Sequence, residues 1–332
     1  MRILVTGGGG YIGSHCVRLL RAQGIETLVF DNFERGDRAA VEGPFQVGDL
    51  LHPPDLDFAF ASGSFDAVMH FAALVIVEES VSQSARYLEV NTIGTLNVLE
   101  AMRRHGCARL VFSSTAAVYG MPEKVPITED HVLHPVNPYG LSKLLAEEEI
   151  RYYGREHGLQ WVAFRYFNAA GREFPYPAAR FREHDTHLIT RVLNAAHDSS
   201  KPLQIFGTDY ATPDGTCVRD YVHVSDICSA HVQALDYMKQ GRESGCFNIG
   251  TGNGNSVTEV VNASSAVTGA RIPVQHGPRR LGDPAILVAS NEKLRREMKW
   301  KPRYDNLSAI VASAWTWHHE SACSAAVAKG TN

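Results

Sequence analysis

Tyr139 and Lys143 stand four residues apart in Pro138-Tyr139-Gly140-Leu141-Ser142-Lys143. On a helix that spacing places a phenol and an ammonium on one face, one turn apart. The chemistry open to such a pair is general base catalysis by a phenolate. Free tyrosine titrates near pKa ~10, so only about one molecule in a thousand is ionised at pH 7. A neighbouring cation favours the charged form and brings it within reach. The same pair also occurs on solvated helices by chance, so its meaning depends on what the rest of the chain can bring beside it.

The N-terminus brings a nucleotide. Arg2-Ile3-Leu4-Val5-Thr6 reads as a buried strand, breaks into Gly7-Gly8-Gly9-Gly10-Tyr11-Ile12-Gly13, and continues with helical spacing from Ser14 to Leu20. Strand, glycine turn and helix form the context of a dinucleotide fingerprint. Glycines let the backbone approach a pyrophosphate, and the helix N-terminus favours its charge. A second strand, Glu26-Thr27-Leu28-Val29-Phe30, ends at Asp31, which follows Gly13 by 18 residues. A carboxylate there suits ribose hydroxyls and repels a 2′-phosphate, which predicts NAD rather than NADP. An oxidised nicotinamide would add positive charge on the side of the phenolate.

The elements that must hold these groups follow from periodicity. Apolar runs at Ala67-Val68-Met69-His70-Phe71, Arg109-Leu110-Val111-Phe112 and Trp161-Val162-Ala163-Phe164-Arg165 alternate with helical stretches over 86–105 and 139–157. That alternation predicts an α/β fold, a Rossmann-type doubly wound parallel sheet with ligands at the strand carboxyl ends. Residues 1–168 are expected to form the NAD-binding domain, with 216–240 returning to it. Residues 169–215 and 241–321 would build a smaller α+β lobe, with a long loop over 171–185, a last helix over 307–319 and a flexible tail at 322–332. Glu147, Glu148 and Glu149 read as a solvated helix face.

At 332 residues, 44% hydrophobic and 20% charged, the chain can bury a sizeable core. A formal net charge of -4 offers no basic surface for nucleic acid. Six cysteines, at positions 16, 107, 217, 228, 246 and 323, show neither metal-ligand nor disulfide spacing. They read as free thiols of a cytoplasmic protein, and no metal is expected. No run approaches the roughly 18 apolar residues of a membrane span, and a strand starting at residue 2 leaves no room for a removable signal segment.

Further motifs carry a resemblance over nearly the whole length. They are Thr6-Gly7-Gly8-Gly9-Gly10-Tyr11-Ile12-Gly13-Ser14-His15, Gly48-Asp49-Leu50, His70-Phe71-Ala72-Ala73, Asn91-Thr92-Ile93-Gly94-Thr95 and Phe112-Ser113-Ser114-Thr115. Arg165-Tyr166-Phe167-Asn168, Asp209-Tyr210, the run from Asp214 to Val224, and Arg279-Arg280-Leu281-Gly282-Asp283 continue it. The chain resembles the extended short-chain dehydrogenase/reductases, and within them the nucleotide-sugar 4-epimerases.

The resemblance implies interconversion of UDP-glucose and UDP-galactose through a transient 4-keto sugar, with NAD retained. Tyr139 would take the proton of the sugar 4-hydroxyl while hydride leaves C4 for the nicotinamide. Lys143 would hold the nicotinamide ribose and depress the tyrosine pKa, and Thr115 would hydrogen-bond the 4-oxygen. Gly7, Gly10, Tyr11, Ile12 and Gly13 would form the phosphate turn, Asp31 and Asn32 would hold the adenosine ribose, and Asp49 and Leu50 the adenine. Phe71, Ala72, Ala73, Asn91 and Phe167 would complete the cofactor groove. Asn168, His187 and Leu188 would lie along the UDP, Gln204 and Phe206 near the uracil, and Asp283 at the uridine ribose. Arg219 and Arg280 would pair with the diphosphate, where guanidinium forks match phosphate oxygens. A homodimer through the stretches 86–105 and 139–157 is implied, using apolar residues such as Leu96, Val98 and Leu99.

The chain departs from the pattern at Val75, where some relatives place a lysine toward the cofactor. Leu287 aligns with a gate beside the sugar that varies from Tyr to Cys, which leaves UDP-GlcNAc/GalNAc or UDP-xylose/arabinose as alternative substrates. A nucleotide-sugar 4,6-dehydratase would need Asp-Glu after the threonine, where this chain has Ala116 and Ala117. A non-catalytic NAD-binding scaffold is disfavoured by the intact Thr115, Tyr139 and Lys143.

Overall fold

A computed structural model describes residues 1–173, 187–280 and 282–317. In chain order the first half comprises β1 (Arg2–Thr6), α1 (Tyr11–Ala22), β2 (Glu26–Asp31), β3 (Phe45–Val47), α2 (Pro53–Ala61) and β4 (Ala67–His70). There follow α3 (Val77–Ser82), α4 (Ser84–Leu88), α5 (Gly94–Arg104), β5 (Arg109–Thr115), α6 (Pro138–His157) and β6 (Gln160–Tyr166). The predicted helix over 86–105 is α4 and α5 joined by a π turn at Glu89–Ile93. The second half holds β7 (Asn168–Ala170), α7 (Leu188–His197), β8 (Leu203–Phe206), β9 (Val218–His223) and α8 (Val224–Lys239). It closes with β10 (Gly245–Ile249), β11 (Gly254–Ser256), α9 (Val257–Thr268), β12 (Val274–Gly277), β13 (Ile286–Leu287), α10 (Glu292–Met298) and a helix at 307–317.

Seven parallel strands form the main sheet in the order β10-β6-β5-β4-β1-β2-β3. The strands carry apolar residues on both faces because both faces are covered. Ile3 and Val5 of β1 enter one core with Cys16 and Val17 of α1 and Ile227 of α8. Leu4, between them, enters the opposite core with Leu56 of α2, Val98 of α5 and Ile150 of α6. The chain order reverses between β1 and β4, and an open crevice forms at their carboxyl ends, as expected at such a switch point.

The return to the sheet runs further than 216–240. Strand β10 lies in what was expected to be the second lobe, yet it pairs with β6 in register, Gly245 opposite Val162. Leu294 of α10 and the fully buried Trp300 belong to the same core as α1 and α8. A parallel strand joined by a long crossover leaves no local signal of which sheet it will enter. The smaller lobe consists of β9 flanked by β7, β11 and β13, the β8–β12 pair, and helices α7 and α9. Most of the predicted loop over 171–185 and all of the expected tail at 322–332 lie outside the described residues.

Candidate active site

Two glycines of the turn expected to hold a phosphate are required by close approach. Gly7 has φ +72°, and a Cβ there would sit 2.4 Å from the Ala72 amide nitrogen. A Cβ on Gly13 would meet the Gly7 carbonyl at 2.3 Å, so α1 can pack down on the turn only without one. Gly10 is the N-cap of α1, with no side-chain cap, which leaves its N-terminus to face the cleft. Asp31, at the end of β2, accepts from Gly9 N at 2.9 Å and Phe33 N at 2.8 Å. Next to it, Asn32 donates to Asp49 at 3.2 Å. The groups fit a dinucleotide: backbone close enough for a pyrophosphate, then a carboxylate and an amide for a ribose.

Tyr139 enters from the first turn of α6. Asn137 caps that helix by accepting from Gly140 N at 2.8 Å, and Pro138 starts it. A Cβ on Gly140 would stand 2.6 Å from the Ala117 carbonyl, so glycine lets α6 press on the turn after β5 and brings Tyr139 to Thr115. Thr115 itself accepts from Ala117 N at 3.1 Å. Burial pushes the Tyr139 phenol above its ordinary value, and the Thr115 hydroxyl pulls it back.

That direction is the reverse of the one the Tyr/Lys spacing predicts. The Lys143 ammonium is 2% exposed and donates to the Ser113 carbonyl at 2.9 Å, with its nitrogen 4.7 Å from the centre of the Phe112 ring. Burial pulls its pKa down to about 7, opposed by the Glu147 carboxylate. Spacing places the two side chains on one face but does not say where a long, flexible ammonium will find its acceptor.

Behind this wall a buried polar chain ties strands to helices. The Thr95 hydroxyl donates to Asn91 O at 2.6 Å, so it accepts from His70 Nε2 at 3.0 Å. This leaves His70 Nδ1 to accept from the Thr6 hydroxyl at 2.6 Å. Burial holds His70 down at about 3, so it is neutral at working pH. Asn91 exchanges hydrogen bonds with the Leu74 backbone and donates to Ser142 at 2.9 Å, and Ser142 in turn donates to Tyr139 O at 2.8 Å.

The glycine turn, Asp31, Asn32, Asp49, Leu50, Phe71, Ala72, Ala73, Thr115, Tyr139 and Phe167 all line one continuous cleft. On its far side the same cleft is lined by Asn168, His187, Leu188, Gln204, Phe206, Arg219, Arg280 and Asp283. Asn91 and Lys143 are the predicted site residues that stand behind the lining rather than in it. The arginines already have partners: Arg219 is paired with Asp283, and Arg280 with Glu78 at 3.2 Å. Arg280 also lies 4.2 Å from the centre of the Phe206 ring. Val75 and Leu287 line the cleft too, and Leu287 sits in register with Arg219.

Glu147 corrects the expected solvated face. It is fully buried, with Arg165 Nε at 3.0 Å and Arg165 Nη2 at 2.7 Å. The signal was available, since 139, 143 and 147 share one helical face. Leu96, Val98 and Leu99 are not spare either, because Val98 and Leu99 are core residues and Leu96 packs on that core. Exposed on α6 and at the end of the π turn are Leu141, Leu145, Tyr152 and Ile93. Five cysteines are free and buried, and Cys323 lies outside the described residues. Among the described residues no cluster of three or more His, Cys, Asp or Glu could hold a metal, and no helix is long and apolar enough to cross a membrane.

A tight glycine turn, a buried phenol and two arginines across one cleft suit a nucleotide-dependent enzyme. The family model described as NAD dependent epimerase/dehydratase matches residues 3–250, and the chain belongs to that family. Among its relatives it is 45% identical over 324 residues to a UDP-glucose 4-epimerase of Halalkalibacterium halodurans, covering 96% of each chain. The fold matches a UDP-glucose 4-epimerase from Brucella ovis in complex with NAD at TM-score 0.90 and 39% identity, covering 95% of this chain and 97% of that one. It also matches the UDP-Glc/GlcNAc 4-epimerase of Campylobacter jejuni at TM-score 0.84 and 40% identity, covering 96% and 99%.

Proposed function

We propose that this protein is an NAD-dependent 4-epimerase that interconverts UDP-glucose and UDP-galactose. The observation that carries the reading is Tyr139 held at Thr115 on the wall of a cleft that runs from the glycine turn to Arg219 and Arg280. Bound NAD supplies a reversible hydride acceptor for the sugar C4. Gly7, Gly10 and Gly13 would hold its pyrophosphate and Asp31 and Asn32 its adenosine ribose. Asp49 and Leu50 would meet the adenine, with Phe71, Ala72, Ala73 and Phe167 along the groove.

Tyr139 takes the proton of the sugar 4-hydroxyl and returns it, with Thr115 orienting the 4-oxygen. Because burial opposes phenolate formation, the base needs added positive charge; a bound oxidised nicotinamide would add it, and Lys143, whose ammonium donates to the Ser113 carbonyl, would add to it from the next turn of α6. Arg219 and Arg280 exchange their carboxylate partners for the diphosphate. Asn168, His187 and Leu188 line the path of the UDP, Gln204 and Phe206 flank the base, and Asp283 accepts from the uridine ribose. Ala116 and Ala117 give the cleft no ionisable group beside Thr115, which disfavours elimination of water.

Leu287, half-buried beside Arg219, supports a second reading in which N-acetylated UDP-hexoses are also accepted. The exposed apolar residues of α6 support a homodimer built on that helix, and buried free thiols suit a cytoplasmic setting. The test is NMR product analysis after separate incubation with UDP-galactose, UDP-GalNAc and UDP-arabinose. Conversion of UDP-galactose to UDP-glucose is expected. Tyr139→Phe is expected to retain NAD but lose at least about 10³-fold in kcat. Unchanged turnover in that variant would overturn the role of the phenol.

A further inference from the structure

Tyr139, Lys143 and Glu147 occupy successive turns on one face of α6, and each meets a residue at the end of β5. Tyr139 faces Thr115 on the cleft wall, Lys143 donates to the Ser113 carbonyl at 2.9 Å, and Glu147 accepts from the Ser114 hydroxyl. Three consecutive strand residues are therefore gripped by three consecutive turns of helix. The third grip is itself clamped, because Arg165 of β6 makes two hydrogen bonds to the Glu147 carboxylate.

We infer that Glu147, clamped by Arg165, is a positioning residue for the epimerisation, locking β5 to α6 so that Thr115 and Tyr139 share the sugar oxygen. This rests on the reaction proposed above.

An ion pair this deep is a poor way to gain stability, since desolvation offsets most of its attraction. The pair stands one turn from an ammonium that burial would otherwise discharge, which gives the carboxylate a use that an apolar pair would not serve. The other ionisable groups facing it are Arg151 on α6 at 3.4 Å and Cys246 on β10 at 3.5 Å. Facing Arg165 are Tyr119, whose hydroxyl accepts at 2.9 Å, and Glu129, whose backbone carbonyl accepts at 3.2 Å. Glu129 is opposed in turn by Lys293 of α10, and His70 of β4 faces Lys143 but is neutral. Of these, Glu147 is the anion that acts on Lys143.

The test uses the NAD-loaded full-length protein and UDP-galactose across pH 6 to 10. Glu147→Gln alone leaves Arg165 buried without a counter-charge and risks unfolding. Glu147→Gln with Arg165→Met removes both charges and leaves neither stranded. The double variant is expected to keep its Tm and bound NAD, with KM within about two-fold and kcat about ten-fold lower. The alkaline limb of kcat should move to lower pH by about one unit, because Lys143 releases its proton more readily without the carboxylate. Ser114→Ala, which keeps both charges, is expected to lower kcat about three- to ten-fold while leaving the alkaline limb in place.

A folded double variant with wild-type kcat and alkaline limb would overturn the inference. Should the double variant not fold, wild-type kcat in Ser114→Ala would do so. The wild-type control separates the two levels of failure. No conversion by the unmodified protein would sink the proposed reaction, whereas normal wild-type turnover with unaffected variants sinks only the role of Glu147.

Discussion

Lys143 lies where its charge costs stability. Its pKa of about 7 in the folded chain is far below the ordinary 10.5. Between those values the unfolded chain binds more protons than the folded one, so stability from this group rises with pH from about 7 to 10.5 and the full penalty is felt below 7. Lys143→Met is therefore expected to raise the Tm of NAD-free protein at pH 6.5 by several degrees while abolishing turnover, with the gain shrinking toward pH 10. Thermal melts across that range check it, and a lower Tm at pH 6.5 would contradict it. The phenol, the ammonium and Thr115 were legible as residue types in known contexts. Glu147 was not, because three glutamates in a row resemble a solvated face until one asks which of them shares the stripe of Tyr139 and Lys143.

Elements position the chemistry through contacts that only small residues allow. Gly7 needs both its left-handed backbone and the absence of a Cβ against Ala72, and Gly140 needs that absence against Ala117. Gly7→Ala is expected to weaken NAD retention by about ten-fold or more, since both strain and overlap fall on the phosphate turn. Bound nucleotide measured after gel filtration checks this, and native occupancy would contradict it. The strands β1, β2, β4, β5 and β6 could be read from apolar runs bounded by glycine or polar residues. Strand β10 could not be assigned to its sheet, because Gly245–Ile249 pairs with residues more than 80 positions earlier and carries no local mark of its partner.

Across the whole molecule, an ion pair bridges the cleft. Glu78 of α3 reaches Arg280 on the opposite lobe, and Arg280 is one of the two guanidinium groups assigned to the diphosphate. Both side chains are substantially exposed, so the pair is weak and screened. It nevertheless competes with substrate for the same donor. Glu78→Gln is expected to lower KM for UDP-galactose by about two- to five-fold at low salt, with kcat unchanged. A raised KM would show instead that the bridge organises the site. The residues named from the sequence line both banks of one cleft, but such a bridge between distant segments exists only in three dimensions.

The proposed epimerisation requires the hydrogen lost from the sugar C4 to return to the other face of the same carbon, with bound NAD as the hydride acceptor it would need and Tyr139 carrying the proton. The most direct measurement is turnover of UDP-galactose deuterated at C4, followed by NMR and mass spectrometry. UDP-glucose that keeps its deuterium at C4, with no label in solvent and no free NADH, is the result predicted. Absence of UDP-glucose, or UDP-glucose that has exchanged its label, would contradict the account.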